Sequence, residues 1–596
     1  MVTTPEAPPD SEPRPRPGAA GRAPLWWAVP PVVTGYILSE TWPAATPGLL
    51  AAAAIPLAAV ALILAWRAPA TGFRRRATFA AWGACFLLAA TFLAWSWHTA
   101  RVPPPPAAWS NLPEREAKLA IRVQRTFSQR SDESYASGLG VVVSAPDVMR
   151  DLLGSTIYYR VSTRKEYAPD RGATVEINGI LTYLPSVTTA STSPSTPANS
   201  STPSSPVGPP TPAQSFQAYL LSDGVNVTLE RGLVTRQLAP PSWWARWTNA
   251  QNAHLEKILR HGPAGLENLY GNVYVGLFLG KSGALDDPQR TAFTLIGVMY
   301  LFAISGLHVA IVAGALLLCL RHIPRLPRSA AELAALALVW LYVEITGGSP
   351  SARRAALMFT FYLIALWIGR PRGSLGAILA AGLVTLLLNP LDLHSPGFQL
   401  SYSVVFGLIL YAPPLLDAAQ SRLTLWRHLP VRSRAPWQKC VLWTWKRILA
   451  AVVLSWTALL CSAPLSAEYF QIVSAGGLLT TLALVPLLGL AMGAAVAAIA
   501  LGLFAFSPFT WLSWAVNALG LAASGLMQKI VDAAAPIPGL HAQLTLQPPW
   551  IGQAAALSVL AIMLAARPRS HPPRWWYFLL PVLVLIAFAI FTARPA

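Results

Sequence analysis

Three short stretches place groups capable of chemistry inside sequence otherwise fit for lipid. Residues 300–314, YLFAISGLHVAIVAG, carry Ser305, Gly306 and His308. A serine and a histidine three apart share one helix face, and the glycine lets another backbone come close. Residues 346–359, TGGSPSARRAALMF, carry Ser351, Arg353 and Arg354 at the edge of an apolar run. Residues 389–407, NPLDLHSPGFQLSYSVVFG, set Asp392, His394, Gln399 and Ser401 around a Pro396-Gly397 break. Ser305 with His308 could be a nucleophile and its base, although no third group in the pattern orients the histidine; the same pair could be plain helix glue. Arginines at bilayer depth either pair with an acid such as Glu344 or touch a polyanion in a path. Turn chemistry explains the proline, glycine and asparagine of the third stretch, and explains Gln399 and Ser401 less well.

Composition says what must position these groups. The chain has 596 residues, 54% hydrophobic and only 12% charged, too few polar side chains to coat a water-soluble globule of that size. Apolar runs near the length of a bilayer recur at 24–42, 48–66, 77–97, 292–319, 330–346, 354–369, 374–388, 397–412, 448–467, 475–505, 509–527, 550–566 and 575–592. The expected fold is therefore a polytopic α-helical membrane protein with about 13 spans. The Gly- and Pro-interrupted run 475–505 invites a broken or re-entrant reading. Residues 1–23 read as a disordered tail, 24–98 as N-terminal membrane helices, the first of them an uncleaved anchor, and 550–592 as C-terminal ones.

The formal net charge of +19 suggests nucleic acid, but its distribution points to topology. Arginines cluster in short loops at alternate span ends, among them Arg74 to Arg76, Arg321 to Arg328 and Arg422 to Arg447, as the positive-inside rule demands. Arg353 and Arg354 fall on the opposite, external side. Four cysteines lie in or beside spans, and the external segment has none, which excludes a disulfide framework or cysteine metal site there.

Between the third and fourth spans, residues 105–240 alternate apolar with polar side chains in short strand-like runs, predicting a small external β-barrel of the OB type. A Ser/Thr/Pro tract at 186–214 reads as a disordered insertion, and 242–270 as an interfacial amphipathic helix rich in tryptophan. Over 112–182 there are ten Lys/Arg against nine Asp/Glu, a weak footprint for phosphate. One basic, aromatic patch stands out as a candidate DNA contact: Tyr158, Tyr159, Arg160, Arg164, Lys165 and Arg171, with a solvated strand face as the plain alternative. GLFLGKS at 276–282 resembles a phosphate-binding loop, but Val275 stands where the motif needs glycine, so no nucleotide site is expected.

Taken together, LFAISGLHVAI, GGSPSARRAALM and SPGFQLSYSVVFG, in this order, resemble the signature segments of the ComEC competence family; SFQAYLLSDGV resembles the close of its external OB-like domain. The resemblance covers about residues 24–530 and makes 291–530 a competence-type channel domain. It implies an inner-membrane, multi-pass channel of bacteria that takes up single-stranded DNA during transformation, without catalytic activity, cofactor or metal of its own. Ser305, Gly306, His308, Ser351, Arg354, Gln399 and Ser401 would line the path. Implied partners are single-stranded DNA, membrane lipid, a cytosolic ATPase or helicase as motor, and possible separate nuclease and DNA-delivery proteins. Tyr300 and Thr481 depart from the family pattern, which more often has histidine and asparagine there. A further expected departure is the lack of a C-terminal metallo-β-lactamase-like domain, since none of the nine histidines has His-x-His-x-Asp-His spacing. Two other readings use the same residues: a transporter for a small polar solute or lipid headgroup, and a membrane-embedded serine hydrolase.

Overall fold

The computed structural model describes residues 27–595 apart from 43–45, 67–72, 103–108, 110–113, 128–134, 163–168, 185–215, 218, 222, 323–325, 370–373, 424, 427–433, 470–471, 474–476, 504–506, 538–541, 547–549 and 566–577. The expected disordered tail and Ser/Thr/Pro insertion lie outside the described residues. The chain divides into two compact units, Met1–Arg101 with Ala365–Leu383, and Val102–Ile364 with Val384–Ala596.

The first unit holds helices α1 (Val29–Thr41), α2 (Pro47–Trp66) and α3 (Phe73–Arg101). Their hydrophobicity runs all round the helix, as expected where no water must be faced. Polar groups pair internally: the Ser39 hydroxyl bonds His98 Nδ1, and Ser96 donates to the Pro47 carbonyl at 2.8 Å, tying α3 to both neighbours.

The second unit begins with a closed five-stranded barrel: β1 (Arg115–Thr126), β2 (Tyr135–Ser144), β3 (Thr156–Ser162), β4 (Thr174–Tyr183) and β5 (Val227–Ala239), in spatial order β1-β2-β3-β5-β4. β4 closes onto β1, and β3 with β5 is the parallel pair, Tyr158 opposite Thr228. Alternate residues of β4 point inward, and Leu119, Ile121, Ile157, Tyr159, Ile177 and Leu229 fill the interior. Each such side chain contributes about 1.5–3 kcal/mol by leaving water, so the pattern itself closes the barrel.

The rest of the second unit is helical: α4 (Trp243–Arg260), α5 (Ala264–Leu279), α6 (Asp287–Leu295), α7 (Gly306–Arg321), α8 (Arg328–Ile345), α9 (Pro350–Trp367), α10 (Ser374–Leu388), α11 (Pro396–Leu410), α12 (Ala412–Leu423), α13 (Pro436–Tyr469), α14 (Gly477–Gly502), α15 (Ser507–Ala534), α16 (Ile551–Ala565) and α17 (Leu580–Thr592). Helices α9 and α10 run across the boundary between the units. Small strands at Ile472–Val473, Ala542–Leu546 and Ala593–Pro595 make a second sheet.

Three expectations change. The run 292–319 is not one span: α6 ends at Leu295, Gly297 turns the chain with φ +73°, a tight turn follows at Met299–Phe302, and only α7 continues. The run 475–505 is the unbroken helix α14, which accommodates Pro486. The expected amphipathic helix 242–270 is two elements: α4 carries the exposed tryptophans, while the last seven residues of α5 are buried core. Tyr274 of α5 donates to Asn517 of α15 at 3.3 Å, so this core starts before residue 291. Among the described residues four helices are long and apolar enough to cross a membrane, or five if α11 and α12, bent by 44°, form one span.

Candidate functional site

The three stretches singled out in the sequence supply the N-terminal ends of α7, α9 and α11, and the second unit brings those ends together. Ser349, just before α9, donates to the Ile304 carbonyl just before α7 at 3.3 Å. A β-carbon on Gly306 would stand 3.7 Å from that of Ala355. One on Gly397 would stand 3.0 Å from the Arg354 guanidinium, so a side chain there would press on it. Helix N-termini present unpaired N–H groups and partial positive charge. With an arginine between them they favour an anion.

Arg354 and its neighbour take opposite fates. Arg353 is half-exposed and pairs with Glu344 at 3.1 Å. Arg354 is only 3% exposed, enters no ion pair among the described residues, and its Nε has no hydrogen-bond partner. A buried guanidinium left this way is costly. Two acids feel its charge from nearby, Asp223 in the turn before β5 and Asp392 in the loop before α11, with Tyr402 of α11 beside them. Burial pushes the Asp392 carboxyl up to about 6, against the attraction of Arg354, with Asp223 adding to the rise and a hydrogen bond from Asn389 opposing it. Burial also raises the Asp223 carboxyl, against a hydrogen bond from Tyr219 and the attraction of Arg125 and Arg354.

Ser305 and His308 cap their own helix. The Ser305 N–H donates to His308 Nδ1 at 3.4 Å, and the Ser305 hydroxyl lies 2.9 Å from the same nitrogen. Nδ1 is then an acceptor, so the neutral ring carries its proton on Nε2. That buried nitrogen faces the Leu301 backbone without a hydrogen bond of good geometry. A capping box of this kind satisfies orphan backbone donors.

Gln399 belongs to a different network. It donates to the Leu393 carbonyl at 3.0 Å and accepts from Tyr469 at 2.9 Å; Gln553 donates to Tyr469 at 3.0 Å and to Glu468 at 3.0 Å. Glu468 also accepts the Gln553 backbone N–H at 2.7 Å, capping α16 from a neighbouring helix. Ser351 and Ser401 are half-buried on α9 and α11. The structure therefore brings Gly306, Ser351 and Arg354 to one meeting of helix ends, places Ser305 and His308 at that edge in a self-contained cap, and ties Gln399 into helix packing.

The proposed barrel patch does not assemble as one surface. Tyr159 points into the barrel with 0% exposure, and Tyr158 is buried in a second cluster with Leu139, Leu220 and Val225. Neither face is open to a base. Arg160 lies over Tyr135 with 5.0 Å to its ring. Arg171 donates to the Glu344 carbonyl and side chain at 3.1 Å each, fastening the barrel to the end of α8. Arg164 and Lys165 lie outside the described residues. Sequence reasoning missed a better group: Arg125 stacks 5.4 Å over Phe127 and donates to Tyr219 at 3.1 Å, with Phe216 beside both rings. The signal was the LSDGV turn, where Gly224 takes φ +76° and a β-carbon would meet Leu391 at 2.5 Å.

Two further observations bear on the motifs. Lys281 of the GLFLGKS near-miss pairs with Glu256 at 2.7 Å, which gives it a structural use. Tyr300 and Thr481, the two departures from the family pattern, hydrogen-bond each other at 2.9 Å, so they form one contact.

The helical part of this architecture coincides with a known family: residues 277–570 match the family model described as Competence protein. Relatives include ComE operon protein 3 of Bacillus subtilis (strain 168), 40% identical over 134 residues, which are 22% of this chain and 17% of that one. Competence protein ComA of Neisseria gonorrhoeae is 34% identical over 146 residues, 22% of this chain and 20% of its own length. Residues 277–570, just under half of the chain, are thus a competence-family region, and both curated relatives are competence proteins. The matches span about a fifth of the length of these curated relatives, and no solved structure matches.

Proposed function

We propose that this chain conducts single-stranded DNA across the bacterial inner membrane during transformation, as a multi-pass protein of about 13 spans with its OB-like barrel outside. The observation that carries this reading is Arg354, buried without an ion pair among the described residues where the ends of α7, α9 and α11 meet. A conduit for a polyanion must exchange each phosphate's water for donors, firmly enough to admit it and loosely enough to release it. Arg354 supplies charge, and the free N–H groups of the helix ends and Ser351 supply neutral donors. Arg125, Phe127 and Phe216 on the barrel add a cation and stacking rings of the kind single strands use. A cytosolic ATPase or helicase drives the strand inward, and separate nuclease and delivery proteins act upstream.

The test is replacement of a transformable host's own homologue by this chain and by its Arg354→Ala variant. Uptake is expected to fall while the variant reaches the membrane in normal amount. Unchanged uptake by the variant counts against the reading.

A further inference from the structure

Arg354 feels two acids and is bonded to neither. They come from different bodies of the fold. Asp392 is held within its own loop, where Asn389 donates to it at 3.0 Å. Asp223 rides on the turn that closes the barrel, and that turn abuts the same loop: Gly224, with φ +76°, sits so close to Leu391 that a β-carbon would stand 2.5 Å from it. The fold thus presents a carboxylate to an arginine from a separate layer, through a contact small enough to part. A guanidinium makes its strongest contact when two N–H groups grip two oxygens of one anion. No described carboxylate gives Arg354 that grip, and a phosphodiester could.

Resting on the reading of Arg354 as a phosphate contact, we infer that Asp223 is an internal stand-in for a backbone phosphate. It faces Arg354 in the strand-free protein. An arriving phosphodiester takes its place, and the Asp223–Gly224 turn then lifts from the Leu391–Asp392 loop. Entry of the strand and release of the barrel turn are one exchange of anions at one cation.

The experiment uses the full chain in lipid nanodiscs with a fluorescent 20-nucleotide oligo-dT, read by binding affinity and by hydrogen exchange at 223–227 and 390–394. Adding the oligonucleotide is expected to speed exchange in both segments. Asp223→Asn is expected to speed it without oligonucleotide and to tighten binding roughly 3- to 10-fold, the scale of one unit charge removed near a partly buried site. Asp223→Glu, which keeps the charge, is expected to bind like the unaltered chain.

If the oligonucleotide binds and Arg354→Ala weakens it, but exchange at the turn is unchanged or slowed and Asp223→Asn binds no tighter, the stand-in is overturned while the path reading survives. Equal tightening by Asp223→Asn and Asp223→Glu overturns it as well, because charge is then not the cause. If the oligonucleotide binds the unaltered chain and Arg354→Ala equally, or binds neither, the path reading fails. Inorganic polyphosphate then decides the stand-in: turn release by polyphosphate keeps it, and no release ends it.

Discussion

The Arg354 junction and the Gln399–Tyr469–Gln553–Glu468 network are both polar insertions among apolar helices, and they differ in whether their bonds are made. In the network Gln399, Tyr469, Gln553 and Glu468 each meet a partner at 2.7–3.0 Å, and the result joins α11, α13 and α16. At the junction a guanidinium is more deeply buried than any of these, yet its Nε is unbonded and it makes no ion pair among the described residues. Satisfied polar groups in a membrane interior act as glue. Unsatisfied ones cost stability and are retained for another use. Polar residues in an apolar run therefore carry functional meaning only after their partners are known.

The sharpest way to break this contrast is to remove one polar side chain from each side. Arg354→Ala is expected to reduce transformation on the order of 100-fold, the scale of removing one preorganised donor from a charged ligand, with its melting temperature unchanged or raised. A comparable loss from Gln399→Ala would erase the distinction. Glu468→Ala is expected to act oppositely, lowering stability by about 1–3 kcal/mol, because it leaves the Gln553 backbone N–H without an acceptor and its side-chain amide with Tyr469 alone; thermal melting in detergent reads it.

The acids at the junction allow a sharper comparison through pH. Asp392 has its folded pKa raised from 3.8 to about 6. A raised carboxylate gives stability that is fully present below the unfolded pKa and is lost as pH rises through about 6. Melting followed from pH 7.5 down to 4.5 should therefore show a gain of about 1–2 kcal/mol, discounted for the partial exposure of the group, and Asp392→Asn should flatten that part of the profile. Strand binding should tighten over the same interval, because Arg354 loses one of its two opposing charges.

The smallest effects belong to fully bonded sites. Gln399→Ala is expected to cost about 0.6 kcal/mol, the mean for a hydrogen bond between membrane helices. Tyr300→Phe and Thr481→Val are expected to cost no more, and the double variant no more than the larger single one, since both remove the same bond. Additive losses in a double-mutant cycle would show that the two positions act separately.

Much of the architecture is legible in hydropathy and alternation. The apolar runs at 330–346, 374–388 and 550–566 lie within a few residues of α8, α10 and α16, and the barrel strands follow from period-two burial. Hydropathy does not see how an apolar run is divided. Leu295 to Ser305 is apolar enough for a span, but Gly297 turns it, and nothing in composition separates a buried tight turn from a helix. Helix α5 escapes for the converse reason: Glu267, Asn268 and Asn272 dilute its apolar face although its last two turns are core.

The site was legible as three stretches and not as one place. Spacing put Ser305 beside His308, and that local pair proved to be a cap. Arg354 stands out in the sequence as a charge against the loop rule, with Glu344 as a mate for the arginine pair. Glu344 in fact takes Arg353 and Arg171, and Arg354 has no ion pair among the described residues. Asp223 could not be found from sequence, because only tertiary contact brings a turn of the barrel to a loop between helices.

The filled interior of the barrel has one last consequence. With Tyr159, Ile121 and Leu229 locked in its centre, the barrel is a solid post with no bore. On the path proposed above, a strand heading for the bilayer would have to skirt the outer wall, where it would meet residues such as Arg125 and Phe127, and the wall's outline, not an inner diameter, would set how wide a cargo can pass.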